Sequence, residues 1–443
     1  MQKQPINCFP GYEYIPGPEN KGLGRNMFRG IDLGFGGYVY SVPGIYTNVA
    51  MLDVANMHGA SIEQLNYLGE YTHTYADIRK VRNCLKHGDF DTPRKMFGGK
   101  LVKYLDDEES AENLSGALKL PLNQLYGISF TRYNLPTRHS RNINNIIALR
   151  GALFMKVLQD EVTDMGYKVI HIKTDSIKIA NADDKIIDYC MKRADDYGYV
   201  FEHECTYDRI CLIDKATYIA KYDDKGVRNK GGKKAGKWVA VADKFQVPYV
   251  FKTLFSHEEI IFDDLCEVFS VQEGSIYLDM NEDLPDVTEY EKELKNLEDK
   301  YKKGELSDTS FEAEAPKLEK KIAKGHNYIF VGRVGQFSPI VPGGGGGVLY
   351  RIKDGKKYAV QGTKGYRWLE SEMVKSSGKE DKIDLSFYDK LADEARKAIE
   401  KYGDFDMFVN NETYVTPDFM NIPEDPDVEE LPWDPDPAEK EHP

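Results

Sequence analysis

Two short apolar runs separated by only four residues constrain this chain more than any other feature. Residues 168–172 and 177–180 read as strands, and Lys173-Thr174-Asp175-Ser176 between them leaves room only for a tight hairpin turn. The elements around this hairpin complete a pattern. Residues 45–53 form an apolar run suited to a buried strand that ends in a carboxylate, Asp53. Asn142 caps a predicted helix running to Met165, with Ile143, Ile147, Phe154, Leu158 and Val162 on one face. A second helix is predicted over 183–197 and a last strand over 210–220. The order β, α, ββ, α, β is that of a ferredoxin-like antiparallel sheet, so the expected fold class is α+β.

Outside this core the periodicity changes. The first thirty or so residues are rich in Gly and Pro and read as an extended lead-in. Residues 61–119 are helical in period and charged, with a break at Gly88-Asp89, which predicts two antiparallel helices. The Lys/Glu-rich stretch 289–324 predicts an exposed helical hairpin, and 326–370 alternates short apolar runs with glycines, as a small β-rich unit does. The basic, Gly-containing stretch 221–237 predicts a hairpin that either tracks nucleic acid or is simply solvated.

At 443 residues and 41% hydrophobic content, the chain can build two or three cored domains without disulfide or metal staples. None of its six cysteines forms a CxxC pair, and no run is apolar enough for a membrane span or signal peptide, so a reduced, cytoplasmic setting is expected. The net charge of −14 speaks against a phosphate-rich partner for the molecule as a whole. Its distribution does not. Residues 417–443 hold ten acidic residues and one lysine and so carry −9 of that total, leaving −5 for the rest, which includes the lysine-rich stretch 221–237. That proline-punctuated acidic end is predicted to stay unfolded.

Two carboxylates, Asp53 and Asp175, sit at strand ends that this fold order can bring together. Hard oxygen ligands of that kind suit Mg²⁺ and phosphoryl chemistry. Taken singly, each is an ordinary solvated turn residue. A third element, Lys119 to Gly127, places Lys119, Asn123 and Tyr126 at i, i+4 and i+7, on one face of a helix. That face offers a cation, an amide and an aromatic ring, although an ordinary amphipathic helix ending at Gly127 has the same spacing.

The order of these segments, Asp53-Val54-Ala55-Asn56-Met57-His58-Gly59-Ala60-Ser61-Ile62, then Lys119 to Gly127, then Lys173 to Ser176, resembles the three polymerase motifs of family B DNA polymerases, written DxxSLYPS, KxxxNSxYG and DTDS. Gly36-Gly37-Tyr38 resembles the glycine-rich segment ahead of the first motif, and Lys215-Ala216-Thr217-Tyr218 resembles the KKRY primer-gripping motif; the likeness covers residues 35–255. It implies a bacteriophage-type, right-hand polymerase with a ferredoxin-like palm (35–64 and 129–255), short helical fingers (65–128) and a mixed α/β thumb with a small β-rich subdomain (256–416). The lead-in (1–34) and the acidic tail (417–443) flank these. By the same resemblance Asp53, Asp175 and the Val54 carbonyl hold two Mg²⁺ ions, with Mn²⁺ as a substitute. Lys119, Asn123, Tyr126 and His58, with Arg79 or Arg82 of the preceding helix, meet the incoming dNTP; Lys80 and Lys86 of that helix are further candidates. Lys215, Tyr218, Thr174 and Lys173 contact primer–template DNA.

Several positions depart from the family pattern. Lys173 replaces the first Asp of DTDS, and two residues apart on an extended strand it would share a face with Asp175, putting a cation beside the metals. His58 replaces the tyrosine that excludes a ribose 2′-hydroxyl, which implies weaker sugar discrimination. Gly59 and Gln124 replace a Pro and a Ser. Only 52 residues precede Asp53, too few for the family's proofreading domain, so a separate exonuclease subunit is expected, and the acidic end is a candidate docking peptide for it or for a sliding clamp. The interval of 66 positions from Asp53 to Lys119 suits a conventional nucleic-acid primer rather than a protein primer. The alternative reading is a non-catalytic polymerase-like subunit that binds primer–template DNA. A reverse transcriptase or RNA polymerase would show paired aspartates in the turn, and residues 168–180 contain none.

Overall fold

The structure, a computed structural model, describes residues 10–17, 24–129, 145–228 and 232–410. Within the supposed lead-in, β1 (Tyr12–Ile15), β2 (Arg25–Phe28) and β3 (Ile31–Asp32) form a three-stranded antiparallel sheet. This segment is therefore more than an extended strap. Phe28 and Leu33 are buried in the main core, and Asn26, also buried, donates to the Gly34 carbonyl at 2.8 Å.

The central sheet has seven strands. β4 (Val39–Ser41) and β5 (Gly44–Val54) precede a helical region, and β6 (Lys168–Lys173), β7 (Ser176–Ala180), β8 (Phe201–Leu212), β9 (Tyr218–Val227) and β10 (Trp238–Val241) follow it. Their spatial order is β10-β9-β8-β5-β7-β6-β4, with every pairing antiparallel. Taking β5, β6, β7 and β8 as first to fourth, the middle of the sheet runs fourth, first, third, second, the arrangement expected from the β, α, ββ, α, β order. One prediction needs correction. The strand expected over 210–220 is two strands, β8 and β9, which meet at a turn where Asp214 Oδ1 accepts the amides of Ala216 and Thr217 at 2.7 and 2.8 Å.

Alternation along the strands divides the sheet into two faces. Leu52, Val54, Ile172, Ile177 and Ile179 turn to a core shared with α5 (Ile146–Asp164) and α6 (Asp184–Tyr197). Helix α5 is buried on every side from Ile147 to Lys156, with Arg150 and Lys156 among the buried residues. It also packs closely on α1 (Met57–Gln64), where Gly151 lies against the Met57 side chain. The expected cap Asn142, with Ile143, lies outside the described residues. The cap of α5 is Asn145, in the left-handed region at φ 51° and without a side-chain capping bond.

Two longer helices stand beside α1. α2 (Thr72–Lys86) and α4 (Glu108–Ser129), linked through the short α3 (Asp91–Lys95), lie antiparallel: Tyr75 and Leu122 meet at one end, and Leu85 and Ala111 at the other. Gly127 does not end α4, which continues to Ser129.

The rest of the chain builds on the β10 edge. After α7 (Asp243–Gln246) and α8 (Pro248–Phe251) come β11 (Glu267–Ser270) and β12 (Ser275–Asp279), then the helical hairpin α9 (Thr288–Lys302) and α10 (Asp308–Ala323). β13 (Tyr328–Gly332), β14 (Val334–Ile340), β15 (Val348–Lys353), β16 (Lys356–Ala359) and β17 (Arg367–Glu370) complete two antiparallel sheets, ordered β11-β14-β17 and β13-β12-β15-β16. The stretches Phe330–Phe337 and Gly362–Trp368 are thus strands and turns of a β-rich unit. Buried His326 ties α9 to this unit, with Nδ1 on the Asp279 carboxylate and Nε2 3.0 Å from Glu291 Oε1. Helices α11 (Ser371–Ser377), α12 (Leu385–Glu400) and α13 (Phe405–Asn410) close the described chain. Among the described residues no helix is long and apolar enough to cross a membrane.

The packing of α5 under the sheet is testable. Leu153 is fully buried there, so Leu153→Ala is expected to cost about 2–5 kcal/mol. Urea denaturation checks this, and a loss below about 1 kcal/mol would mean that α5 does not underlie the sheet.

Candidate functional site

Strand register brings the two candidate aspartates together. In the β5–β7 ladder Asp53 is partnered by Ser176, so Asp175 lies one residue beyond it at the mouth of the β6–β7 turn. The Val54 amide donates to the Asp175 carbonyl at 2.9 Å, joining the end of β5 to that turn. On the other side the Thr174 amide donates to the Tyr38 carbonyl at 3.0 Å. Thr174 itself has φ 58°, and Gly37, at φ 120°, lies against it: a Cβ at Gly37 would fall 2.9 Å from Thr174 Cγ2. The glycine-rich segment therefore acts as a close-fitting wall for the turn.

The electrostatics of the pair are one-sided. Burial, followed by the charges of Asp175, Glu204 and Glu202, pushes the Asp53 carboxyl up to about 7, with Lys86 opposing. Asp175 is raised too, again mainly by burial and also by Glu204, with Lys178 opposing. Glu202 faces Asp53 across the β5–β8 ladder and is held by Lys86 Nζ at 3.0 Å and His87 Nε2 at 3.1 Å. Neither aspartate has a direct ion-pair partner among the described residues. Partly buried hard oxygen donors that repel each other are suited to a divalent cation, which relieves the repulsion on binding. No group of three or more His, Cys, Asp or Glu side chains among the described residues is arranged to hold an ion.

Opposite the aspartates stands a cationic wall. Arg82 and Lys86 of α2, and Lys119, Asn123 and Tyr126 of α4, line with Asp53, Asp175 and His58 a cleft of about 580 Å³. Lys119, Asn123 and Tyr126 share the predicted face, while Leu122 turns inward to Tyr75 and Ile147. The His58 ring stacks on Tyr126 with centroids 4.0 Å apart and planes 14° from parallel. Burial lowers the His58 pKa to about 4, so this ring is neutral near pH 7.

Asn145 supports that stack from behind, a role the sequence pattern did not single out. Its Nδ2 donates to Tyr126 Oη at 2.9 Å and to the Phe35 carbonyl at 2.6 Å. The left-handed conformation that denies Asn145 a normal capping bond turns its side chain toward the tyrosine. The other unflagged residues are Glu202, Glu204 and Lys178. Strand alternation would have found Lys178, which lies between Ile177 and Ile179 and so must face the same way as Ser176.

The remaining candidates lie outside the cleft lining. Arg79 is held by Glu63 Oε2 at 2.5 Å, one helical turn before Arg82. Lys173 and Thr174 flank the turn without reaching the cleft. The expectation that Lys173 and Asp175 share a face fails because the positive φ of Thr174 ends the extended strand between them; Lys173 is exposed. Lys215 is exposed in the β8–β9 turn, its carbonyl 3.1 Å from His171 Nε2. Tyr218 is buried, with the Lys178 ammonium 4.9 Å from its ring centroid and His171 3.0 Å from that ammonium.

Asp53 generates a pH prediction. Its folded pKa, about 7, lies above the ordinary carboxylate value, so the folded state holds a proton that the unfolded chain has already lost across that interval. Its contribution to stability therefore declines as pH rises from about 4 to about 7 and is flat above. In metal-free buffer, Asp53→Asn should be more stable than the parent at pH 8 by roughly 1–3 kcal/mol, and the gap should close toward pH 4. A pH series of thermal melts checks this; a destabilised or pH-independent variant would contradict it.

Comparison with known proteins adds only distant structural likeness. No protein-family model and no curated protein matches the chain. Among solved structures, the family B DNA polymerase from the hyperthermophilic archaeon Pyrobaculum calidifontis is similar at a TM-score of 0.40 and 11% sequence identity, over 85% of this chain and 46% of that one. The chain thus spans less than half the length of that polymerase.

Proposed function

We propose that this protein is a template-directed DNA polymerase, extending a primer by nucleotidyl transfer from dNTPs. The observation that carries the proposal is the cleft itself, with a mutually repelling aspartate pair at the ends of central strands facing Arg82, Lys86 and Lys119 on two helices. The ordered likeness of the segments around Asp53, Lys119 and Asp175 to the family B motifs supports the same reading. In this proposal the seven-stranded sheet is the palm, α2 to α4 are the fingers, and the chain beyond residue 256 is the thumb with its β-rich subdomain.

The primer 3′-hydroxyl loses its proton and attacks the α-phosphate of the dNTP, and pyrophosphate leaves. Asp53 and Asp175 would hold the divalent ions, Mg²⁺ or Mn²⁺, which supply charge neutralisation at the attacking and leaving oxygens. The chain's own groups do the rest. Arg82, Lys86 and Lys119 neutralise the triphosphate, an electrostatic role that is strong in a cleft this sheltered. Asn123 borders the triphosphate path, and the His58–Tyr126 stack forms the platform for sugar and base. A neutral, tyrosine-backed His58 in the sugar-gating position accords with weaker discrimination against ribonucleotides. Exposed Lys215 is available to primer–template phosphates, whereas buried Tyr218 acts from beneath, through Lys178 and His171.

Primer extension with Mg²⁺ on a recessed duplex tests the assignment. Asp53→Asn and Asp175→Asn should each lower the rate by roughly three orders of magnitude, about 4 kcal/mol, with folding intact by circular dichroism. Lys119→Ala should chiefly raise the KM for dNTP. Activity that survives either aspartate substitution would remove the proposed site. A folded parent chain that binds primer–template DNA without extending it would favour a non-catalytic subunit.

A further inference from the structure

At the β9–β10 end of the sheet is a second groove, of about 560 Å³, with a composition of its own. Trp238, Phe251 and Phe255 form its floor, and Trp238 is braced by Phe255 and Phe408 at ring-centroid distances of 5.3 and 5.4 Å. Lys221 and Lys237 stand on the rim beside one acid, Glu258. Lys225, Lys233 and Lys234 extend the basic edge along the same β9–β10 hairpin and are exposed. Among the described residues, none of these five lysines has a carboxylate within ion-pair distance. In a protein of net charge −14, an uncompensated lysine edge over an aromatic floor calls for an anionic, partly apolar occupant.

The chain's own path brings such an occupant to the groove. Val409 and Asn410 form its remaining wall, and their position is fixed because buried Arg209 donates to the Phe408 carbonyl at 2.9 Å. Thirty-three residues follow Asn410 in the sequence. The last twenty-seven, 417–443, interleave ten carboxylates with Phe419, Met420, Ile422, Leu431 and Trp433. The six intervening residues can span up to roughly 20 Å, enough to bring Asp418 to either rim lysine. A second cleft also opens beside Asn410, but Asp393 and Asp406 line it and its arginine, Arg396, is already paired with Asp406 at 2.7 Å, so charge directs an acidic segment to the lysine side.

We propose that the acidic segment 417–443 docks in this groove of its own chain, its carboxylates on the Lys221–Lys237 edge and its apolar side chains toward the Trp238 floor. While docked it occupies the edge that would otherwise attract nucleic-acid phosphates, so it acts as a built-in competitor that only a polyanion bound in its proper track displaces. The docking itself is independent of the catalytic assignment, whereas its role as a competitor rests on the nucleic-acid-binding function proposed above.

Zero-length carbodiimide cross-linking of the full chain, read by mass spectrometry, tests it directly. Cross-links within one chain should join Lys221, Lys237 or Lys234 to carboxylates of 417–443, and Lys221→Gln with Lys237→Gln should deplete them. Cross-links spread evenly over all lysines, or found only between chains, would overturn the proposal. In parallel, a fluorescein-labelled duplex should bind about tenfold tighter at low salt to a full-length variant with amides at all ten acidic positions. That gain should vanish in the Lys221→Gln/Lys237→Gln background. A gain that persists there would reflect overall charge alone and would equally overturn the docking.

Discussion

A backbone hydrogen bond from the Val54 amide to the Asp175 carbonyl ties the end of β5 to the β6–β7 turn. It closes the ladder between the first and third strands of the sheet core one step beyond the Asp53–Ser176 pair. Antiparallel pairing thereby brings together two carboxylates separated by more than a hundred residues. Side-chain period in a strand is strict, so a slip of one residue in β5 would swap Asp53 with Leu52 and move the carboxylate into the core. The hydrophobic alternation of Leu52, Val54, Ile177 and Ile179 forbids that slip. The core beneath the sheet thus sets the position of the chemistry above it.

Charge is separated by element type. The strands supply acids, Asp53, Asp175, Glu202 and Glu204; burial first, and then the charge of neighbouring acids, raises the carboxyl pKa values of Asp53 and Asp175. The helices supply the cations. Lys86 belongs to both groups, lining the cleft while gripping Glu202, so α2 is fastened to the sheet by the same charge pattern that shapes the cleft. The aromatic platform is supported in a similar way: Tyr126 takes its position from Asn145, and Asn145 from the Phe35 carbonyl, next to the Gly36-Gly37 segment that walls the turn.

Much of this was legible in the residues, and the failures have physical causes. Strands ending at Asp53 and flanking the 173–176 turn are short, apolar and bounded by polar residues, so alternation reveals them. The helical face of Lys119, Asn123 and Tyr126 follows from spacing alone. The split of residues 210–220 was missed because Asp214 makes its turn through side-chain hydrogen bonds rather than through a Gly or Pro. Likewise, nothing in Lys173-Thr174-Asp175 announces a positive φ at a β-branched threonine; the fit against Gly37, distant in sequence, holds it there. Arg79 and Arg82 were indistinguishable in sequence because their difference is tertiary: Glu63 takes the first, leaving the second to the cleft.

The central claim is that Asp53 and Asp175 serve one shared ion. Crystals grown or soaked in Mn²⁺ and measured at its absorption edge test that claim most directly. The account predicts an anomalous peak within about 2.5 Å of a carboxylate oxygen from each aspartate. A peak bound to one aspartate alone, or manganese found only elsewhere on the molecule, would contradict it.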